Sequence, residues 1–200
     1  MNTQALRIGD FPLGTNIDKN GDSHEQASGL VSRLRYEEIF RDPATVPHRM
    51  QLVPTAMGDI VFVNDSRATN INATWYSLES MARPIIWIAA GAGLHMSPRD
   101  YGILVPMVSR KVRAMVYLGA DTITFHKAFS RHVDAIGACN SMADAVAMAY
   151  AFARPGDVIL FSPSRPSFDR YRDFEDRGNA FVHEVALFQN VGDWIRRSPR

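Results

Sequence analysis

The chain has 200 residues, 46% hydrophobic and 22% charged, enough apolar material for one substantial core. Its formal net charge of +1, from 22 basic and 21 acidic residues, excludes a global field that would draw it to nucleic acid or an anionic membrane. The single cysteine, Cys139, excludes a disulfide framework within these residues and fits a reducing compartment.

The opening "MNTQALRIGDFPLGTN" has no basic segment followed by an apolar stretch, and no later run is long enough to span a bilayer. The expected location is therefore the cytoplasm. Residues 1–35 are polar with scattered Gly and Asp, and lack a sustained strand or helix period, so they read as a flexible or partly helical N-terminal extension. A short amphipathic helix from Gly29 to Phe40 would align Leu30, Leu34 and Ile39. One domain is expected over 36–190, followed by a tail, 191–200.

From Arg49 onward, short apolar runs alternate with helical patterns, the mark of strands joined by crossover helices. "RMQLVPTAMGDIVFV" predicts a hairpin turning near Met57-Gly58, and Ile71, Trp75, Leu78 and Met81 lie at helical spacing. "PIIWIAAG" predicts a fully buried strand, and Tyr101, Leu104, Val105, Val108 and Val112 predict the next helix. Then come strand "AMVYLG", a short helix over Phe125–Phe129 and strand "VDAIGA", where Cys139 reads as a small buried side chain. "SMADAVAMAYAFARPGD" predicts a helix with Ser141 and Asp144 at capping-box spacing, ending at Pro155-Gly156. Strand "DVILFS" precedes a last helix through "FDRYRDFEDRGNAFVHEVALF". The sum is an α/β, Rossmann-like, mostly parallel sheet with helices on both faces.

In such sheets ligands bind beyond the carboxyl ends of the strands, which selects the loops Asn64–Asn70, Gly91–Arg99, Gly119–Thr122 and Ser162–Asp169. In the first, "NDSRATN" leaves a strand and enters a helix whose unpaired amides attract anions. Arg67 adds a guanidinium fork suited to carboxylate or phosphate, Thr69 a hydroxyl, and Asp65 an acceptor for a ribose or an amine. The alternative is that Asp65 and Ser66 merely cap the turn while Arg67 is solvated. The last loop, "FSPSRPSFDRYRDFEDRG", has the same layout, with Ser167 a candidate cap of a helix opening there. Phe168, Tyr171 and Phe174 read as packing residues, and Asp173, Glu175, Asp176 and Arg177 as a solvated helix face with local ion pairs. "AAGAGLHMSPRD" fails the dinucleotide fingerprint for want of a third glycine, and the chain contains no G-x-x-x-x-G-K-[ST] loop. His24, His48, His95, His126, His132 and His183 form no metal-spaced pair, so no metal site is expected.

From Tyr36 to Phe188 the blocks "VPHRMQLV", "VNDSRATNINATWYSLESM", "RPIIWIAAG", "DYGILVPMVSRKVRAMVYLG", "SMADAVAMAYAFARPGDVILFSP" and "SFDRYRDFEDRGNAF", in this order and spacing, resemble the C-terminal domain of the Mur ligases, nearest the D-glutamate-adding branch. The resemblance implies a Rossmann-like domain that closes over ATP and receives D-glutamate. It assigns Arg49 to the ATP phosphates and Asp65 to the ribose, with His48 in the same nucleotide-binding motif. For the amino-acid carboxylate it implies Arg67, where the family has lysine, with Thr69, Ser167, Phe168 and the neighbouring Phe174. The family's "SPACASFD" is here "SPSRPSFD", which places Arg165 and Pro166 in the substrate loop, and a second family lysine has no equivalent in "AAGAGLHMSPRDY".

The resemblance also implies a UDP-binding domain and a central ATPase domain, the latter with the phosphate loop, the magnesium ligands and the means of making an acyl phosphate. The residues before the match are too few to form either, so this chain alone is not expected to ligate. No catalytic residue is assigned. Three expectations follow: a carboxylate- and nucleotide-binding homologue of the domain, with Mg2+ supplied by a partner domain; one subunit of a split ligase; or a regulatory module that binds another protein. No nucleic-acid or membrane partner is expected.

Overall fold

The computed structural model describes residues 46–90, 97–120, 122–167 and 170–197. The predicted extension 1–35, the helix Gly29–Phe40, most of the Gly91–Arg99 loop and Phe168 lie outside the described residues.

The hairpin forms as expected: β1 (Gln51–Val53) pairs antiparallel with β2 (Val61–Asn64), with Gln51 opposite Asn64. Gly58 takes φ 71 in the connection, a left-handed geometry that a residue without Cβ adopts at little cost. After β2 come α1 (Ile71–Ser80), β3 (Ile85–Ala90) and a 3-10 turn (Pro98–Tyr101). Then follow α2 (Val105–Lys111), β4 (Val112–Leu118), α3 (Thr122–Phe129), β5 (Ala135–Cys139), α4 (Met142–Phe152), β6 (Val158–Phe161) and α5 (Phe174–Arg197). The helix expected from Tyr101 to Val112 is split. Pro106 lacks an amide hydrogen and fits only the first turn of a helix, so α2 cannot begin much earlier than Val105.

Among the described residues the sheet order is β1-β2-β6-β3-β4-β5, and every pairing but the β1–β2 hairpin is parallel. Helices cover both faces, which is why β3 and β6 are buried at every position and show no alternation in sequence. On one face Phe62, Ile88, Val116 and Phe161 meet Val146 and Ala149 of α4 and Phe181 and Val185 of α5. On the other, Val63, Trp87, Met115 and Leu160 meet Leu78 of α1, Val108 of α2 and Phe125 and Phe129 of α3. Ser141 caps α4, its Oγ accepting from the Asp144 amide at 3.1 Å. Cys139 closes β5 as a buried side chain, and burial pushes its thiol pKa up to about 11. No helix of the described residues is long and apolar enough to cross a membrane.

Two side chains tie this frame to its ends. At the carboxyl rim, Trp87 Nε1 donates to the Ser162 carbonyl at 2.7 Å. At the far end of α1, the Lys111 ammonium donates to the carbonyls of Leu78 at 3.4 Å, of Met81 at 2.9 Å and of Glu79, at the helix's carboxyl end, where a cation is favoured. Replacing Lys111 by Met keeps the apolar stem and removes these charge-assisted bonds, and is expected to cost about 1–3 kcal/mol in urea unfolding followed by tryptophan fluorescence.

Candidate functional site

β2 ends at Asn64 and α1 begins at Ile71, so the intervening residues turn over the carboxyl rim of the sheet. The helix cap is Asn70, whose Oδ1 accepts from the Ala73 amide at 2.8 Å. That leaves the Asp65 side chain free of capping duty. Its amide donates to the Phe161 carbonyl at 2.8 Å and its carbonyl accepts from Ala68 at 2.9 Å, so its backbone fixes the turn to β6. Its buried carboxylate accepts from the Met50 amide through Oδ1 at 3.1 Å and, through Oδ2, from Ser162 Oγ at 3.4 Å and from Ser77 Oγ. Burial is the dominant effect and pushes the Asp65 pKa up to about 6, against the hydrogen bonds of Ser77, Met50 and Ser162.

Beside this carboxylate opens a cleft of about 570 Å³, walled by Arg49, Asp65, Arg67, Asn70, Tyr76 and Ser77 among others. Arg49 and Arg67 are exposed, and the Arg67 guanidinium carbon lies 4.6 Å from the centre of the Phe174 ring, which limits where its fork can point. Tyr76 is 66% exposed at the cleft wall. The result is a pocket with two permanent cations and one buried acceptor, open to anions and to hydroxyl donors.

The second polar turn is joined to the first by Arg177. Its guanidinium, 1% exposed, donates through Nε to Ser66 Oγ at 3.1 Å and through its terminal nitrogens to the Ser66 and Arg165 carbonyls, each at 2.9 Å. Ser66 Oγ in turn donates to the Phe174 carbonyl at 2.7 Å. Arg177 is thus not part of a solvated helix face, as its sequence context suggests. Its neighbours are: Arg172 and Asp176 form an exposed ion pair at 3.4 Å. Arg165 is also buried, donating to the Tyr101 hydroxyl through Nε at 3.1 Å and through a terminal nitrogen at 2.6 Å.

The helix after β6 does not open at Ser167. The Ser167 carbonyl accepts from the Arg170 and Tyr171 amides at 3.2 and 3.0 Å, closing one turn, and α5 starts only at Phe174. Asp173 is the cap, its Oδ1 accepting from the Asp176 amide at 2.8 Å, with Glu175 and Asp176 in the first turn where the helix dipole favours acids. Of the residues proposed from sequence, the cleft brings together Arg49, Asp65 and Arg67. Thr69 sits half-buried in the turn beside it, Phe174 lies under Arg67, and Ser167 is buried in the second turn.

His48 is buried as well. Its Nδ1 lies 3.0 Å from Asn64 Nδ2, whose two hydrogens are shared among that ring nitrogen, the Gly178 carbonyl at 3.1 Å and Gln51 Oε1 at 3.2 Å. Asn64 Oδ1 accepts from the Ser66 amide at 3.1 Å, and this fixes which end of the amide faces the ring. An amide nitrogen has no lone pair, so Nδ1 is the acceptor and the imidazole carries its hydrogen on Nε2. Burial lowers the His48 pKa, which favours that neutral form. His48 and Met50 hold φ of 63 and 50, left-handed values that cost a non-glycine residue about 1 kcal/mol or more each.

Reasoning from sequence gave no individual role to Asn64, missed Tyr76, Ser77 and Gly178, and read Arg177 as solvated. Gly178 did leave a signal: a glycine inside a helix costs about 1 kcal/mol against alanine, and such a residue marks a close approach. Here a Cβ would stand 2.3 Å from His48 Nδ1. Among the described residues no group of three or more His, Cys, Asp or Glu is placed to hold a metal ion.

Residues 48–165 match the family described as Mur ligase, glutamate ligase domain. The chain is 39% identical over 148 residues to the UDP-N-acetylmuramoylalanine–D-glutamate ligase of Porphyromonas gingivalis, covering 74% of this chain and 32% of that protein. It is 43% identical over 136 residues to the ligase of the same name from Salinibacter ruber, covering 68% of this chain and 29% of that protein. The chain therefore spans about a third of the length of these curated relatives. A crystal structure of MurF from Acinetobacter baumannii aligns with 69% of this chain and 31% of its own, at TM-score 0.49 and 13% identity.

Two expectations follow from the geometry. Asp65 titrates near 6 when folded and near 3.8 when unfolded, so over that window the unfolded chain gives up its proton first and stability falls as pH rises. Asp65→Asn should remove that slope, read as urea midpoints at acid and neutral pH. Arg177→Met leaves the Ser66 and Arg165 carbonyls without their donor and is expected to destabilise the chain by at least about 2 kcal/mol in the same titration.

Proposed function

The chain belongs to the Mur ligase glutamate ligase domain family, and from that premise we propose that it acts as the acceptor-binding domain of a D-glutamate-adding ligase of peptidoglycan precursor synthesis. The observation that supports this reading is the rim cleft, where Arg49 and Arg67 flank the buried carboxylate of Asp65. In this reading Arg49 holds the phosphates of ATP, since a guanidinium fork matches their oxygens with two bonds. Asp65 receives a ribose hydroxyl, for Oδ1 keeps one lone pair beyond the bond from the Met50 amide. Arg67, steadied over Phe174, orients the D-glutamate carboxylate, and the family likeness assigns Thr69, Ser167 and Phe168 to the same ligand group.

One carboxylate is a poor donor set for a divalent cation, so Mg2+ is assigned to a partner domain, linked or separate. Bound ATP supplies the phosphoryl group that activates the acid to be joined. The residues of this chain bind and orient the reactants, and their proximity is what the domain contributes to rate. The substrates place the work in the cytoplasm.

Calorimetry with ATP and with D-glutamate tests the reading. Arg49→Ala is expected to weaken ATP about tenfold and leave D-glutamate unchanged, while Arg67→Ala has the converse effect. Silence of the unaltered chain toward both ligands at millimolar concentration rejects it.

A further inference from the structure

We propose that His48 is a positioning residue: clamped between Asn64 and the bare Cα of Gly178, its ring holds the segment 48–50, left-handed at both ends, so that Arg49 faces the cleft. The proposal rests on the reading that Arg49 meets phosphates there.

Arg49 is exposed, but both of its neighbours are anchored. On one side the His48 carbonyl accepts from the Arg67 amide at 3.0 Å, its amide donates to Gln51 Oε1 at 3.2 Å, and its ring accepts from Asn64. On the other side the Met50 amide donates to Asp65 Oδ1 at 3.1 Å. Asn64 and Asp65 are consecutive at the end of β2, so one rigid strand end grips the chain immediately before and after Arg49. Two left-handed residues flank it, at φ 63 and 50, a conformation that persists only where the surroundings enforce it.

The third jaw is α5. A Cβ at Gly178 would lie 2.3 Å from His48 Nδ1, 2.8 Å from Cγ and 3.1 Å from Cε1, so the imidazole lies against the helix backbone with no room for a methyl group. The Phe174 ring meets the imidazole edge-on at 6.5 Å between centroids. The same Phe174 lies beneath Arg67, so both cleft cations depend on this one helix start. The ring is enclosed on these sides, and it acts through Arg49 without touching the ligand.

Gly178→Ala forces the ring out and is the direct test. Hydrogen exchange by NMR should show the amides of 48–50 exchanging about tenfold faster, with β3, β4 and β6 unchanged. ATP affinity should fall to that of Arg49→Ala, and the Gly178→Ala/Arg49→Ala double variant should bind no worse than Arg49→Ala alone, a coupling that general destabilisation would not produce. His48→Ala, which leaves α5 intact, should reproduce both changes and make Gly178→Ala harmless when the two are combined. This second variant decides the matter if Gly178→Ala folds poorly. Unchanged protection at 48–50, or affinity losses that multiply, overturns the proposal. A native chain that does not bind ATP defeats the nucleotide reading by itself; the exchange comparison then stands alone, and faster exchange at 48–50 supports the clamp while unchanged exchange rejects it.

Discussion

The guanidinium of Arg177 holds the two polar turns of the carboxyl rim to each other, and the shape of the cleft depends on that bond set. Among its acceptors are a hydroxyl and a carbonyl of Ser66 on one turn and the Arg165 carbonyl on the other, with the Phe161 ring 6.0 Å from its central carbon. A charge buried to this extent is costly unless every donor finds an acceptor. Backbone carbonyls suit the task because their positions are set by strands β2 and β6, which are already hydrogen-bonded neighbours. The turn that carries Asp65 and Arg67 is therefore fixed from behind by α5, while its front faces solvent.

The location of the cleft follows from topology. β2, β3 and β4 are each followed by a helix on the Trp87 face of the sheet, whereas α4 and α5 cover the opposite face. β6 lies between β2 and β3, so adjacent strands β2 and β6 send their chains to opposite faces as they leave the rim. A crevice opens where the chain parts in this way, the arrangement that locates ligands in open α/β sheets. Asp65 sits at that parting. Its carboxylate is in tension there: burial favours the protonated form, while bonds from Met50, Ser77 and Ser162 favour the ionised one, and burial is the larger effect. A residue so placed serves the scaffold and the cleft at once, since the bond that holds Met50 also sets the height of Arg49.

The sheet was legible because its signal is local and repeated. Runs such as "IIWIAA" and "VILF" are buried on both faces, and their short length and bounding Pro, Gly and Ser suit a covered parallel strand. The Ser141–Asp144 cap was equally plain, since donor and acceptor lie three residues apart. Arg177 could not be read in the same way. Its acceptors belong to residues 66 and 165, and an arginine amid "DFEDRG" looks the same in sequence whether its head meets water or carbonyls. The start of α5 misled for a related reason: Ser167 and Asp173 are both competent caps, and the choice fell to the one whose following turn is acidic. Of the candidate site, the residues of the first turn were legible as a set, because a strand end, a polar loop and a helix start are contiguous in the chain. The support from His48 and Gly178 was not, since the two meet only when α5 docks against the end of β2.

The departure at Arg165 has a physical consequence that sequence alone would misjudge. Placed between two prolines in the loop after β6, an arginine would be expected to add a third cation to an anion-binding rim. The structure turns it inward instead: Arg165 is 4% exposed, its guanidinium lies 5.5 Å from the centre of the Tyr101 ring, and it donates twice to that residue's hydroxyl. Its backbone carbonyl is meanwhile an acceptor for Arg177. Arg165 thus fastens the β6 turn to the 3-10 turn that follows β3, and on the other side to α5, so it works as a rivet of the rim. The electrostatic character of the cleft is left to Arg49 and Arg67 against Asp65. Of these, Arg67 is steadied by an aromatic face and Arg49 by the strained segment that carries it, so ligand preference is set by how firmly two exposed cations are held.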